Sequence, residues 1–105
     1  MHGYQLTFFT QQSDTRRGQS LAEWLLTAAR DLKIKGATLI NAAEGYGRGG
    51  HLHAAHFFDL ADQPQTVVMA VTAEESKQLF ELLEIESVRI FYVKTPVEFG
   101  VTGVT

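Results

Sequence analysis

Short apolar runs alternate along the chain with two amphipathic stretches. Tyr4–Phe9 is rich in aromatic residues and predicts a first strand. Gln11–Gly18 is polar and predicts a loop. Leu21, Trp24, Leu25, Ala28, Ala29 and Leu32 then recur at helical spacing, which places Trp24 in a core. Ser20-Leu21-Ala22-Glu23 has the pattern of a capping box ahead of that helix. Lys33 and Lys35 suit its C-terminus, and Gly36 is the expected left-handed cap. Ala37–Ala43 predicts a second strand. Val67–Val71 is continuously apolar, as in a strand buried on both faces or lying in an interface. Thr72-Ala73-Glu74-Glu75 is a second capping-box pattern, opening a helix with Leu79, Phe80, Leu82 and Leu83. Val88–Val93 predicts the last strand. The order β-α-β-loop-β-α-β points to an α+β fold of the ferredoxin-like type, an antiparallel sheet with two helices on one face.

Composition narrows the picture. The chain has 105 residues, 45% of them apolar, which suits one domain with a real core. Its net charge of −3 argues against a nucleic-acid partner, which needs a basic face to neutralise phosphates. No apolar run approaches the length of a membrane span and no basic-then-apolar leader begins the chain, so a cytoplasmic location is the simplest expectation. Cysteine is absent, so disulfides, thiolate metal sites and cysteine nucleophiles drop out. No serine has a nucleophile-elbow context, and nothing brings Asp14 and Glu44 together as a carboxylate pair. A non-enzymatic role is expected.

The candidate chemistry gathers after the second strand. Gly45-Tyr46-Gly47-Arg48-Gly49-Gly50 holds four glycines in six positions around an arginine. Such a backbone lets a small anion approach its N–H groups closely. Gly45, Gly47 and Gly50 also spell the dinucleotide pattern G-x-G-x-x-G, with a helix drawn through Leu52–Leu60 and Glu74 as a ribose-binding acid. Against that reading, a complete β-α unit precedes the glycines. His51, His53 and His56 can bind a divalent metal, of copper or zinc type, with a third ligand from Asp59, His2 or another subunit; three solvated loop histidines are the plainer alternative. Arg48 and Arg89 can each pair with a phosphate. Arg89 alternates with Val88, Ile90 and Tyr92, which suits an exposed strand face or a subunit contact. Glu81, Glu84 and Glu86 read as a solvated helix end.

Gly36-Ala37-Thr38, followed by Gly45-Tyr46-Gly47-Arg48-Gly49-Gly50-His51, resembles the second strand and long regulatory loop of PII signalling proteins. Arg89-Ile90-Phe91 and Thr102-Gly103 resemble their last strand and terminal motif. The resemblance implies one PII-like domain over residues 1–105, a flexible loop at about 45–64 and a C-terminal tail at about 95–105. It implies a homotrimer with ligand clefts between subunits, sensing an adenine nucleotide such as AMP or ADP and regulating a transporter or enzyme through the loop. The ligand residues would be Gly45, Tyr46, Gly47, Arg48, Gly49, Gly50 and Arg89. The chain also departs from the family. Leu83–Val88 replaces a glycine-rich turn that cradles phosphate, Gly49 replaces a magnesium-binding glutamine, and Phe99 and Val101 replace basic residues. His51–Phe58 lacks the modified tyrosine. A preference for AMP or ADP over ATP is therefore expected. The alternative function is a metal-binding or metal-tolerance trimer using His51, His53 and His56.

Overall fold

A computed structural model describes residues 1–42, 44–46, 52–54 and 63–103. The principal sheet contains β1 (His2–Gln11), β4 (Ala37–Asn41), β7 (Pro64–Thr72) and β8 (Phe91–Glu98). Its order is β4-β7-β1-β8, with every neighbouring pair antiparallel. Helices α1 (Leu21–Asp31) and α2 (Ala73–Ile85) supply the second layer. Two small ribbons complete the described chain: β2 (Thr15–Arg16) with β3 (Gln19–Ser20), and β5 (Glu44–Tyr46) with β6 (Leu52–Ala54). This is the expected ferredoxin-like arrangement.

The period of two along the strands separates the faces. Leu6 and Phe8 of β1 and Val67, Met69 and Val71 of β7 join the buried core with Leu21, Trp24, Leu25, Ala28, Ala29, Leu79 and Leu83 of the helices. Phe8 is the centre of an aromatic group, with ring centroids 6.0 Å from Phe80 and 6.3 Å from Tyr92. Of the two alternatives for Val67–Val71, burial on both faces is met on only one face within the single chain, which leaves the interface reading. Val68 is half-buried and Ala70 exposed. On that open face Phe9, Ile40, Phe91 and Val93 retain 43%, 49%, 57% and 45% exposure.

Both helices begin as the sequence predicts, with one difference. Thr72 and Glu75 form the full reciprocal box, Glu75 N donating to Thr72 Oγ1 at 3.1 Å and Thr72 N to Glu75 Oε1 at 2.9 Å. At α1 the described bond is Glu23 N to Ser20 Oγ, 3.1 Å, while Ser20 belongs to the β2–β3 ribbon opposite Thr15.

The helix ends depart further from expectation. Gly36 is not the left-handed cap; Lys33 is, at φ 63°. Lys33 N bonds Arg30 O and Ile34 N bonds Ala29 O, which is the Schellman pairing. At α2 the same motif uses Ser87, at φ 56°, with Ser87 N to Glu84 O at 3.0 Å and Val88 N to Leu83 O at 2.9 Å. Closing this motif holds Val88 in the cap, so the last strand begins at Phe91 rather than Val88. A serine Cβ is disfavoured in this backbone region, whereas glycine is not. Ser87→Gly is expected to raise the unfolding free energy by about 1 kcal/mol. Urea unfolding with an unchanged slope would read this directly; a loss of stability would show that Ser87 holds the cap by its side chain.

Candidate functional site

The topology brings the roots of the 43–62 segment and the start of β8 to one end of the sheet. Asn41 lies opposite Gln65, Gln11 opposite Pro64, and Phe9 opposite Phe91. Ala42 N donates to Pro64 O and Gln12 N to Gln63 O, both at 2.9 Å, fastening the roots to their neighbours. Thr10 and Gln65, paired across β1 and β7, are buried at this end, and Gln65 Nε2 donates to Asn41 Oδ1 at 3.0 Å. Arg89 stands two residues before Phe91. It is exposed, as expected, but it precedes the strand rather than lying on a strand face, and it has no salt-bridge partner among the described residues. Strand spacing puts β8 about 10 Å from β7, a distance a bound small molecule can bridge.

The turn before β8 lies at the same end. In place of a glycine-rich loop the chain continues α2 to Ile85 and closes it with the cap described above. Glu86 N donates to Leu82 O, Ser87 N to Glu84 O and Val88 N to Leu83 O. These three amides are spent inside the helix terminus, so they cannot also surround a phosphate. The expected lack of a phosphate cradle thus has a cause beyond the missing glycines.

Glu86 itself is not a freely solvated carboxylate. Arg16 Nη2 donates to its Oε1 at 2.6 Å and to its carbonyl at 2.7 Å, and Arg17 Nη2 donates to the same Oε1 at 2.8 Å. The hydrogen bond from Arg16 is the main reason the Glu86 carboxyl is held below its ordinary value of 4.5; partial burial opposes this, and the charges of Arg17 and Arg16 add to it. Glu81 and Glu84 remain exposed, as read from the sequence. Sequence reasoning missed this contact because Gln11–Gly18 looked like a plain loop. The available signal was Arg17-Gly18: both residues have positive φ, 53° and 82°, as a two-residue hairpin turn requires.

The other predicted residues divide by position. Gly45 and Tyr46 lie on β5 and His53 on β6, with Gly45 opposite His53 and Tyr46 opposite Leu52. Gly47, Arg48, Gly49, Gly50, His51 and His56 lie outside the described residues. The dinucleotide pattern is corrected: it needs a helix directly after its glycines, and Leu52–Ala54 is instead a strand paired antiparallel with Glu44–Tyr46. No group of three or more metal-ligating side chains occurs among the described residues. No helix among the described residues is long and apolar enough to cross a membrane. A shallow cleft of about 520 Å³, lined by His2, Gly3, Tyr4, Ala73, Pro96, Val97 and Glu98, opens at the opposite end of the sheet.

Comparison with known proteins places this geometry. A UPF0166 protein of Aquifex aeolicus (strain VF5) is 27% identical over 97 residues, covering 84% of this chain and 92% of the relative. CPII of Thiomonas intermedia K12, a nitrogen regulatory PII-like protein solved with ADP, AMP and bicarbonate, superimposes with a TM-score of 0.70 at 17% identity, covering 96% of this chain and 91% of that one. A candidate PII-like signaling protein from Thermus thermophilus gives 0.68 at 16% identity, covering 92% and 88%. The model of the DUF190 family, described as "Uncharacterized ACR, COG1993", matches residues 3–94. The chain therefore belongs to the DUF190 family, and it is a divergent member of the PII-like fold.

Proposed function

We propose that the protein is a non-enzymatic regulator that binds a small anionic adenine nucleotide, AMP or ADP, at the loop end of its sheet and signals to a partner protein. The observation that carries this reading is the position of Arg89. It is an exposed cation without a described counter-ion, at the sheet end from which the glycine-rich segment departs. Arg48 and the backbone of Gly45–Gly50 supply the other contacts, and the 45–64 loop carries the signal to a target such as a transporter or enzyme. CPII, which shares the fold, has been solved with ADP and AMP, which supports the ligand class. The open apolar sheet face supports a homotrimer, with Val101 of the tail, a residue 79% exposed in the single chain, reaching a neighbour. Phe99, the other tail residue expected at that contact, is tied through its backbone to Met1 of its own chain, the two residues exchanging two hydrogen bonds.

Calorimetry with AMP, ADP and ATP tests the reading. AMP and ADP are expected to bind with Kd values of roughly micromolar or weaker, and ATP less well, because the Glu86, Ser87 and Val88 amides before β8 are already bonded within the helix cap. Arg89→Ala and Arg48→Ala should each weaken binding by about 1–3 kcal/mol if each makes charged hydrogen bonds to phosphate. Ligand should also slow tryptic cleavage after Arg48. Tight magnesium-dependent ATP binding would reverse the preference. Absence of binding by all three nucleotides would remove the ligand class altogether. A parallel titration with zinc, comparing wild type with a His51, His53 and His56 triple-alanine variant, tests the metal role.

A further inference from the structure

The β2–β3 ribbon and the end of α2 meet through charge. Two guanidinium groups converge on a single carboxylate oxygen, Arg16 at 2.6 Å and Arg17 at 2.8 Å. Each contributes one Nη2, so neither uses the two-pronged pairing that a guanidinium can offer. Arg16 is held in place by its bond to the Glu86 carbonyl and by the Trp24 ring, whose centroid lies 5.3 Å from its Cζ. Its Nε is buried and has no hydrogen-bond partner among the described residues. Arg17 sits on the tight turn and leaves 69% of its side chain exposed, so solutes can reach the pair. Two cations face one carboxylate. A phosphoryl group carries three oxygens and up to two negative charges, and it fits both guanidiniums better than one carboxylate oxygen does.

We propose that Arg16 and Arg17 form a binding site for a phosphoryl oxyanion, and that the Glu86 carboxylate occupies it as an internal stand-in in the free protein. An arriving phosphoryl group displaces that carboxylate and takes its hydrogen bonds. The event is transmitted locally, because Glu86 caps α2 and leads through Ser87 and Val88 to Arg89. The site does not depend on the nucleotide reading, since it uses no residue assigned there.

Inorganic pyrophosphate is the probe, titrated at low ionic strength into the full chain. Glu86→Gln removes the competing charge at nearly constant size and is expected to tighten pyrophosphate binding about tenfold. The double variant Glu86→Gln, Arg17→Ala should lose that gain, whereas Glu86→Gln, Arg89→Ala should keep it, which separates this site from the loop end. Arg17→Ala alone is expected to weaken binding about fivefold or more, and it changes only an exposed side chain. It therefore tests the site even if Glu86→Gln fails to fold. Equal affinity of Glu86→Gln and wild type would overturn the proposal, as would persistence of the gain without Arg17, its loss with Arg89, or unchanged binding by Arg17→Ala alone.

Discussion

Phe8→Ala is expected to lower the unfolding free energy by about 3–5 kcal/mol, a large part of what holds a domain of this size together. Phe8 is fully buried and joins β1 to both α2 and β8 through the rings of Phe80 and Tyr92. Those two rings also meet edge-on, at 4.8 Å, so truncation opens a void whose remaining walls are held apart. Phe8→Leu should cost far less, since it keeps most of the volume. Chemical denaturation at one fixed protein concentration checks the pair, because assembly would otherwise shift the apparent stability. A cost below about 1 kcal/mol for the alanine variant would show that the neighbours collapse into the space.

Val93→Glu is expected to abolish the proposed trimer. Val93 stands opposite Thr7 on the open face, near exposed Phe9 and Phe91, whose ring centroids are 5.6 Å apart. Three copies packed by these faces would bury three carboxylates in apolar surroundings, and an unpaired buried charge costs several kcal/mol. Within a single chain the same side chain remains half in solvent, so the variant should keep its circular dichroism spectrum. Light scattering is expected to find the wild type at three times 11.7 kDa and the variant at one chain's mass. A monomeric wild type at micromolar concentration would remove the assembly, and with it any ligand cleft between subunits.

The helices were legible because amphipathic periodicity and capping patterns are local. Leu21, Trp24, Leu25, Ala28 and Ala29 are buried as their spacing predicts, and the Thr72 box forms in full. Strand extents were less legible. β1 begins at His2 and β7 at Pro64, beyond the apolar runs, because each strand is completed by its neighbour's backbone and not by its own hydrophobicity. The helix caps were misassigned at Gly36 for a related reason: the Schellman bonds of Lys33 depend on where α1 stops packing, which no single residue announces. Of the site, the exposure of Arg89 was legible, but not its place ahead of the strand, because the α2 cap holds the preceding residues. The Arg16–Arg17–Glu86 contact was invisible, since it joins residues 70 and 69 positions apart and no periodic pattern marks such a pair.

The order β4-β7-β1-β8 also governs how the protein can be made. Of the four strands of the principal sheet, β1 is made before the other three and lies in the interior, between β7 and β8, the last two of the four to be made. Leu6 pairs with Met69 on one side and Lys94 on the other, so both edges of β1 wait for most of the chain. Until then the aromatic strand Tyr4–Phe9 exposes two unsatisfied backbone edges, the template on which strands of other chains add. Such long-range closure slows folding relative to local helix formation. A nascent chain stalled before residue 91 would have both helices, but β1 would be left as an open edge.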